Sequence, residues 1–183
     1  MLSTQQQKIL HEIAHRSIEQ GLKDKHPLII NLSDYEDRLQ EKAATFVTLN
    51  IDETLRGCIG ILEPARPLVE DVAYNSYSAA FNDSRFPPVT LKEVDQLSIH
   101  ISVLNTPTEM TFDSEEDLIR QLRPGKDGII LEENHSKATF LPSVWDSINS
   151  RSEFLQHLKQ KAYLPRDYWS DTIRIKRYSV EEF

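Results

Sequence analysis

Leu55-Arg56-Gly57-Cys58-Ile59-Gly60 places the chain's only cysteine between two glycines and beside an arginine. A cation close to a thiol favours the thiolate, the form that attacks electrophiles. Flanking glycines let another molecule approach the backbone. These residue types suggest a pocket-facing thiol that acts as nucleophile or anchor. A thiol enzyme also needs an activating base, and no histidine is close to Cys58 in sequence. The competing reading makes Cys58 a small buried hydrophobe, a common fate of free cysteine.

Two arginines extend the lead. Arg56 and Arg85 present forked donors that suit a carboxylate or phosphate. Alternatively, each ties down an irregular loop, through carbonyls or through Asp83. Phe86-Pro87-Pro88 reads either as an exposed recognition ridge or as a plug at the edge of the core. His100, between Ser98 and Ser102 on one strand face, has the chemistry of a general base; a satisfied sheet histidine is the simpler reading. Gly125-Lys126-Asp127-Gly128 is a turn without the spacing of a phosphate-binding loop. The binding candidates are therefore Arg56, Gly57, Arg85 and Phe86, and the catalytic candidate is Cys58.

These residues must be positioned by regular elements. Ser3 and Gln6 form a capping-box pattern. Ile9, Leu10, Ile13, Ala14 and Ile18 follow at helical spacing, with Gly21 as the stop. Residues 24–44 read as a surface loop with a short helix. Thr45 to Leu49 is a strand, Asn50 to Glu53 a turn, and Leu55 to Ile59 the returning strand. Period two puts Arg56 and Cys58 on one face and Leu55, Gly57 and Ile59 on the other. Pro67 suits the first turn of a helix whose second half, through Ala79 and Ala80, is rich in small residues. Asn82 to Pro88 is irregular. Ser98 to Asn105 alternates as a strand, with Ile99, Ile101 and Val103 on one face. Ser114 and Asp117 open a short helix ending near Arg123-Pro124-Gly125. Gly128 to Glu132 and Lys137 to Leu141 form a hairpin. Ser152 caps a helix carrying Phe154, Leu155, Leu158 and Ala162, and Ile173 to Tyr178 is a closing strand. Interspersed helices and hairpins predict an α+β fold with an antiparallel sheet.

Composition narrows the function classes. The 183 residues include 21 basic and 29 acidic side chains, a net charge of -8. A nucleic-acid binder shows a basic excess or stripe, so duplex binding is not expected. No apolar run approaches the roughly 20 residues of a membrane span, and the first residues show no signal-peptide pattern. One cysteine cannot form an internal disulfide, which fits a reducing cytoplasm. Scattered histidines beside one cysteine make no zinc-ligand cluster, so neither metal nor cofactor is expected.

The order of motifs resembles the AMMECR domain, whose microbial members are called AmmeMemoRadiSam system protein A. Leu55 to Gly60 is the hallmark. It is supported in order by Phe46-Val47-Thr48-Leu49, Ala79-Ala80-Phe81 with Asp83, Arg85-Phe86-Pro87-Pro88, and Ile101-Ser102-Val103-Leu104. Gly125 to Ile129, Phe140 to Val144, and Phe154-Leu155 with Lys161-Ala162 complete the series. Ser84, Tyr163, His100 and the Glu53-Thr54 turn depart from the usual pattern, and none of them lies in the hallmark. The resemblance implies one AMMECR-type domain over 1–183: an antiparallel sheet flanked by helices, with a small secondary lobe. It also implies a gene context shared with Memo-type and radical-SAM proteins; with a hallmark that lacks a recognisable base, metal set or cofactor loop, the expectation is a cytoplasmic accessory protein acting with them through a cleft around Arg56, Cys58 and Arg85. A small-molecule enzyme with Cys58 as nucleophile is the alternative, which leaves an unknown small molecule open as a ligand.

Overall fold

The computed structural model describes residues 1–183 and divides into two compact units. Residues 1–104 with 181–183 form the first, and residues 105–180 the second. Both sheets are antiparallel, and with six helices the fold is α+β.

In the first unit, helix α1 (Thr4–Asp24) opens with the reciprocal Ser3–Gln6 capping box. It does not stop at Gly21. The helix continues to Asp24 and ends on Lys25 in the left-handed region, φ 62°. Gly21 is buried inside it, where a Cβ would overlap the rings of Tyr77 and Phe81. That glycine is selected by close helix packing rather than by chain reversal.

A 3-10 turn (Leu32–Asp34) and the short helix α2 (Asp37–Gln40) cross the predicted surface segment. Strand β1 (Lys42–Ile51) then begins earlier than its β-prone run suggests. Asp52 and Glu53, both at positive φ (48° and 62°), turn the chain into β2 (Thr54–Gly60). The two-residue strand β3 (Arg66–Pro67) pairs with the start of β1, and α3 (Leu68–Phe81) follows directly. Beyond the irregular segment, α4 (Leu91–Val94) is opened by a Thr90–Glu93 capping box, and β4 (Ser98–Leu104) returns to pair with β1.

The second unit has its own sheet and core. Strand β5 (Thr108–Glu109) precedes α5 (Glu115–Gln121), whose first turn is capped by Ser114. Strands β6 (Gly128–Glu133) and β7 (Ser136–Phe140) form the expected hairpin. Helix α6 (Arg151–Lys161) is capped by Ser150, not Ser152. Ser150 is extended and accepts the Glu153 N–H, whereas Ser152 already lies within the first turn. Strand β8 (Arg174–Tyr178) completes the order β5-β8-β6-β7. Leu118, Ile129, Leu131, Leu155 and Ile175 fill this core, and Trp145 stacks on Phe154 with ring centroids 3.7 Å apart.

The last strand, β9 (Val180–Glu182), returns the chain to the first sheet, whose order is β2-β1-β4-β9 with β3 also on β1. Val47, Leu49, Ile99 and Ile101 face Leu10, Ile13 and Ile18 of α1 and Val69, Val72 and Ala79 of α3 in one apolar core. A polar knot is set into that core. Asp71 accepts from the Thr45 N–H at 3.0 Å, the Thr45 hydroxyl at 2.7 Å and Asn75 Nδ2 at 3.0 Å. Arg66 Nη1 bonds its other oxygen at 3.0 Å. No helix is long and apolar enough to cross a membrane.

Candidate functional site

The hallmark occupies β2, the outermost strand of the first sheet. Gly57 faces α3, and a Cβ there would overlap the Ala79 carbonyl. Gly60 lies under the Phe46 ring, which fills the space a side chain would take. The two glycines therefore admit the protein's own helix and ring. They do not open the backbone to another molecule, as their type alone suggested.

Register explains where Arg56 points. Leu49 pairs with Gly57 and Asn50 with Leu55, so Arg56 is the extra residue of a β-bulge. Bulges re-aim a side chain and end regular pairing. Here the guanidinium swings to Glu93 of α4, with Nε–Oε1 2.8 Å and Nη2–Oε2 3.4 Å. Glu93 Oε2 also accepts the Thr90 N–H and hydroxyl, both at 2.8 Å. The Arg56 side chain is only 13% exposed. The Arg56 guanidinium, then the Thr90 donors, hold the Glu93 carboxyl down at about 2.

Cys58 sits two residues on, opposite Thr48. Its Sγ accepts the Thr48 hydroxyl at 3.3 Å, and the residue as a whole is partly exposed. Its backbone edge is closed by the irregular segment after α3. Asp83 Oδ2 accepts the Cys58 N–H at 2.9 Å, and Arg85 Nη2 donates to the Cys58 carbonyl at 3.3 Å. Arg85 is forked onto Asp83 through Nε (2.9 Å) and Nη2 (2.7 Å). Asp83 is nearly buried, and Arg85 holds its carboxyl well below the ordinary range against the opposing effect of burial. Together Asp83 and Arg85 serve Cys58 as a neighbouring strand would, blunting a sheet edge that otherwise invites pairing.

The two arginines are thus each neutralised by a carboxylate of their own, and they do not converge as one anion fork. Arg85 keeps an exposed side chain over the Phe86 ring, with the guanidinium carbon 5.4 Å from the centroid. Phe86 is half-buried and Pro87 and Pro88 are exposed, so a rigid ridge projects beside Cys58. His100 shares the row of Thr48 and Cys58 but lies one strand beyond Thr48. At strand spacing its Cα is about 10 Å from that of Cys58, and no hydrogen bond joins the two side chains. Its ring instead meets Ser98 Oγ at 3.2 Å. Sequence reasoning missed Glu93 and Thr48. The Thr90-x-x-Glu93 pattern was the available signal for the first, and none marked the second.

A family model described as AMMECR1 matches residues 11–183. The chain belongs to the AMMECR1 family. Among similar proteins, Protein MJ0810 of Methanocaldococcus jannaschii is 36% identical over 162 residues, covering 84% of this chain and 79% of that one. Protein PH0010 of Pyrococcus horikoshii is 37% identical over 187 residues, covering 96% and 88%. The crystal structure of that uncharacterised Pyrococcus protein superposes with a TM-score of 0.84 at 35% identity, covering 94% of this chain and 88% of that one.

Proposed function

We propose that this AMMECR1-family protein is an accessory protein of the cytoplasm that works by docking a protein partner on the Arg85-Phe86-Pro87-Pro88 ridge beside Cys58. One observation carries the reading. The hallmark's polar groups are spent on holding residues 83–93 in place, and what they leave outward is a braced aromatic and a half-exposed arginine. Arginine and aromatic residues dominate binding hot spots, and prior ordering of the ridge lowers the entropic cost of binding. Memo-type and radical-SAM proteins are the partners that the family resemblance favours. No nucleic acid or membrane surface is invoked.

The second reading, a small-molecule enzyme with Cys58 as nucleophile, draws on the partial exposure of Cys58 and on the Thr48 hydroxyl that orients its sulfur. Its weakness is the missing base. A pull-down from native cells and a metabolite-turnover screen on the same variants separate the two. Phe86→Ala and Arg85→Ala should release the partner, whereas Cys58→Ser should retain it. Turnover abolished by Cys58→Ser, with folding and partner binding intact, would establish the enzyme instead.

A further inference from the structure

Four carboxylates are buried in this protein: Asp71, Asp83, Asp127 and Glu133. Three have a cation of their own. Asp71 has Arg66, Asp83 has Arg85, and Asp127 has both Arg123 and Arg177. Glu133, 3% exposed at the end of β6, has none: no lysine, arginine or histidine nitrogen forms an ion pair with it. Buried charges are as a rule paired or bound to metal, so this one lacks its counter-charge.

The groups around Glu133 are neutral oxygens and one amide. Oε1 is contacted by Tyr168 Oη at 2.9 Å, Ser170 Oγ at 2.8 Å, Thr172 Oγ1 at 2.8 Å and Asn134 Nδ2 at 3.1 Å. Oε2 is buried with no partner. One oxygen is oversubscribed and its twin is bare. Ser170 Oγ and Thr172 Oγ1 are also 2.9 Å from each other. Three mutually close oxygens thus share two hydroxyl protons, and each hydroxyl has lone pairs left over.

We propose that Glu133, Tyr168, Ser170 and Thr172 form a binding site for a small monovalent cation, sodium or potassium. Hard cations take carboxylate and other oxygen ligands, and the bare Oε2 supplies the charged one. A single negative charge among neutral donors balances one positive charge. The ion would fasten residues 168–172 to the β6–β7 turn, so its loss should loosen that segment of the second unit.

The test is thermal unfolding of the whole protein in sodium, potassium or choline chloride at equal ionic strength, with crystals soaked in rubidium for anomalous scattering. Sodium or potassium should raise the melting temperature above that in choline, and rubidium should appear beside Glu133 Oε2. Glu133→Gln should abolish the difference between salts. Thr172→Val keeps the charge but removes one ligand, and it should shrink that difference; it decides the matter if Glu133→Gln does not fold. Equal melting in all three salts with no rubidium peak would overturn the site in favour of a buried water. A response to calcium alone would overturn its monovalent assignment.

Discussion

Strand β1 carries a polar cluster on each face, and they are built to different ends. On the inner face Thr45 is fully buried against Asp71 and Asn75 of α3, with Arg66 closing the knot from one side. On the outer face Thr48 meets Cys58, whose strand is fastened by Asp83, Arg85 and the Arg56–Glu93 pair. Both clusters use carboxylate and guanidinium. Burial pushes the Asp71 carboxyl up, while partly solvated arginines hold Asp83 and Glu93 down. The inner knot orders the core, and the outer one holds its charges nearer the surface.

Removing the central carboxylate from each cluster should separate them most. Asp71→Ala leaves the Thr45 N–H and hydroxyl without their acceptor in a dry site, at a cost of about 3 kcal/mol. Asp83→Ala also orphans the Cys58 N–H, but Arg85 is half-exposed and can return to water, so about 1–2 kcal/mol is expected. Urea unfolding of both variants measures the gap. Equal costs would break the distinction between the faces.

Acid should act on the clusters with opposite sign. Glu93 is depressed to about 2, so its stabilisation is complete above the ordinary carboxylate range and is lost as pH falls towards about 2. The stability advantage of wild type over Glu93→Gln should therefore shrink across that window. Asp71 is raised, so its protonated form favours the fold at low pH and that contribution fades as pH rises through the folded value. Relative to Asp71→Asn, wild type should gain as pH falls. Parallel trends in the two comparisons would contradict the burial argument.

The smallest effect belongs to the thiol. Thr48→Val should change stability by no more than about 0.5 kcal/mol, because the site is partly open. Native Cys58 should nevertheless be labelled by iodoacetamide in both proteins, since the residue is partly exposed. Labelling only after denaturation would restore the buried-cysteine reading.

Much of this was legible because it is local. The Ser3–Gln6 box, the strand alternation of 98–104, the β6–β7 hairpin and the irregular stretch after Phe81 all follow from spacing and turn chemistry. The hallmark strand and the facing of Gly57 and Cys58 also followed from period two. What escaped depends on distant partners. Gly21 reads as a helix stop until Phe81 is seen occupying its space. Arg56 and Arg85 look like one anion fork until a bulge sends the first to Glu93 and a tight loop gives the second to Asp83. Residue types disclosed the ingredients of the site, but pairing decided which of them remained available.

The return of Glu181–Phe183 to the first unit has a consequence for biosynthesis. Phe183 exchanges backbone bonds with Ile101, and Glu181 accepts the N–H of Leu2, at the far end of the chain. The second unit is complete in sequence before those residues emerge. Domains generally fold as units, yet the first sheet receives its last strand only from residues 181–183, made after the whole of the second unit. A chain that lacks Glu181–Phe183 would carry a first unit with β4 unpaired on one side. Chaperone dependence is therefore expected to concentrate in the half of the protein that was translated first.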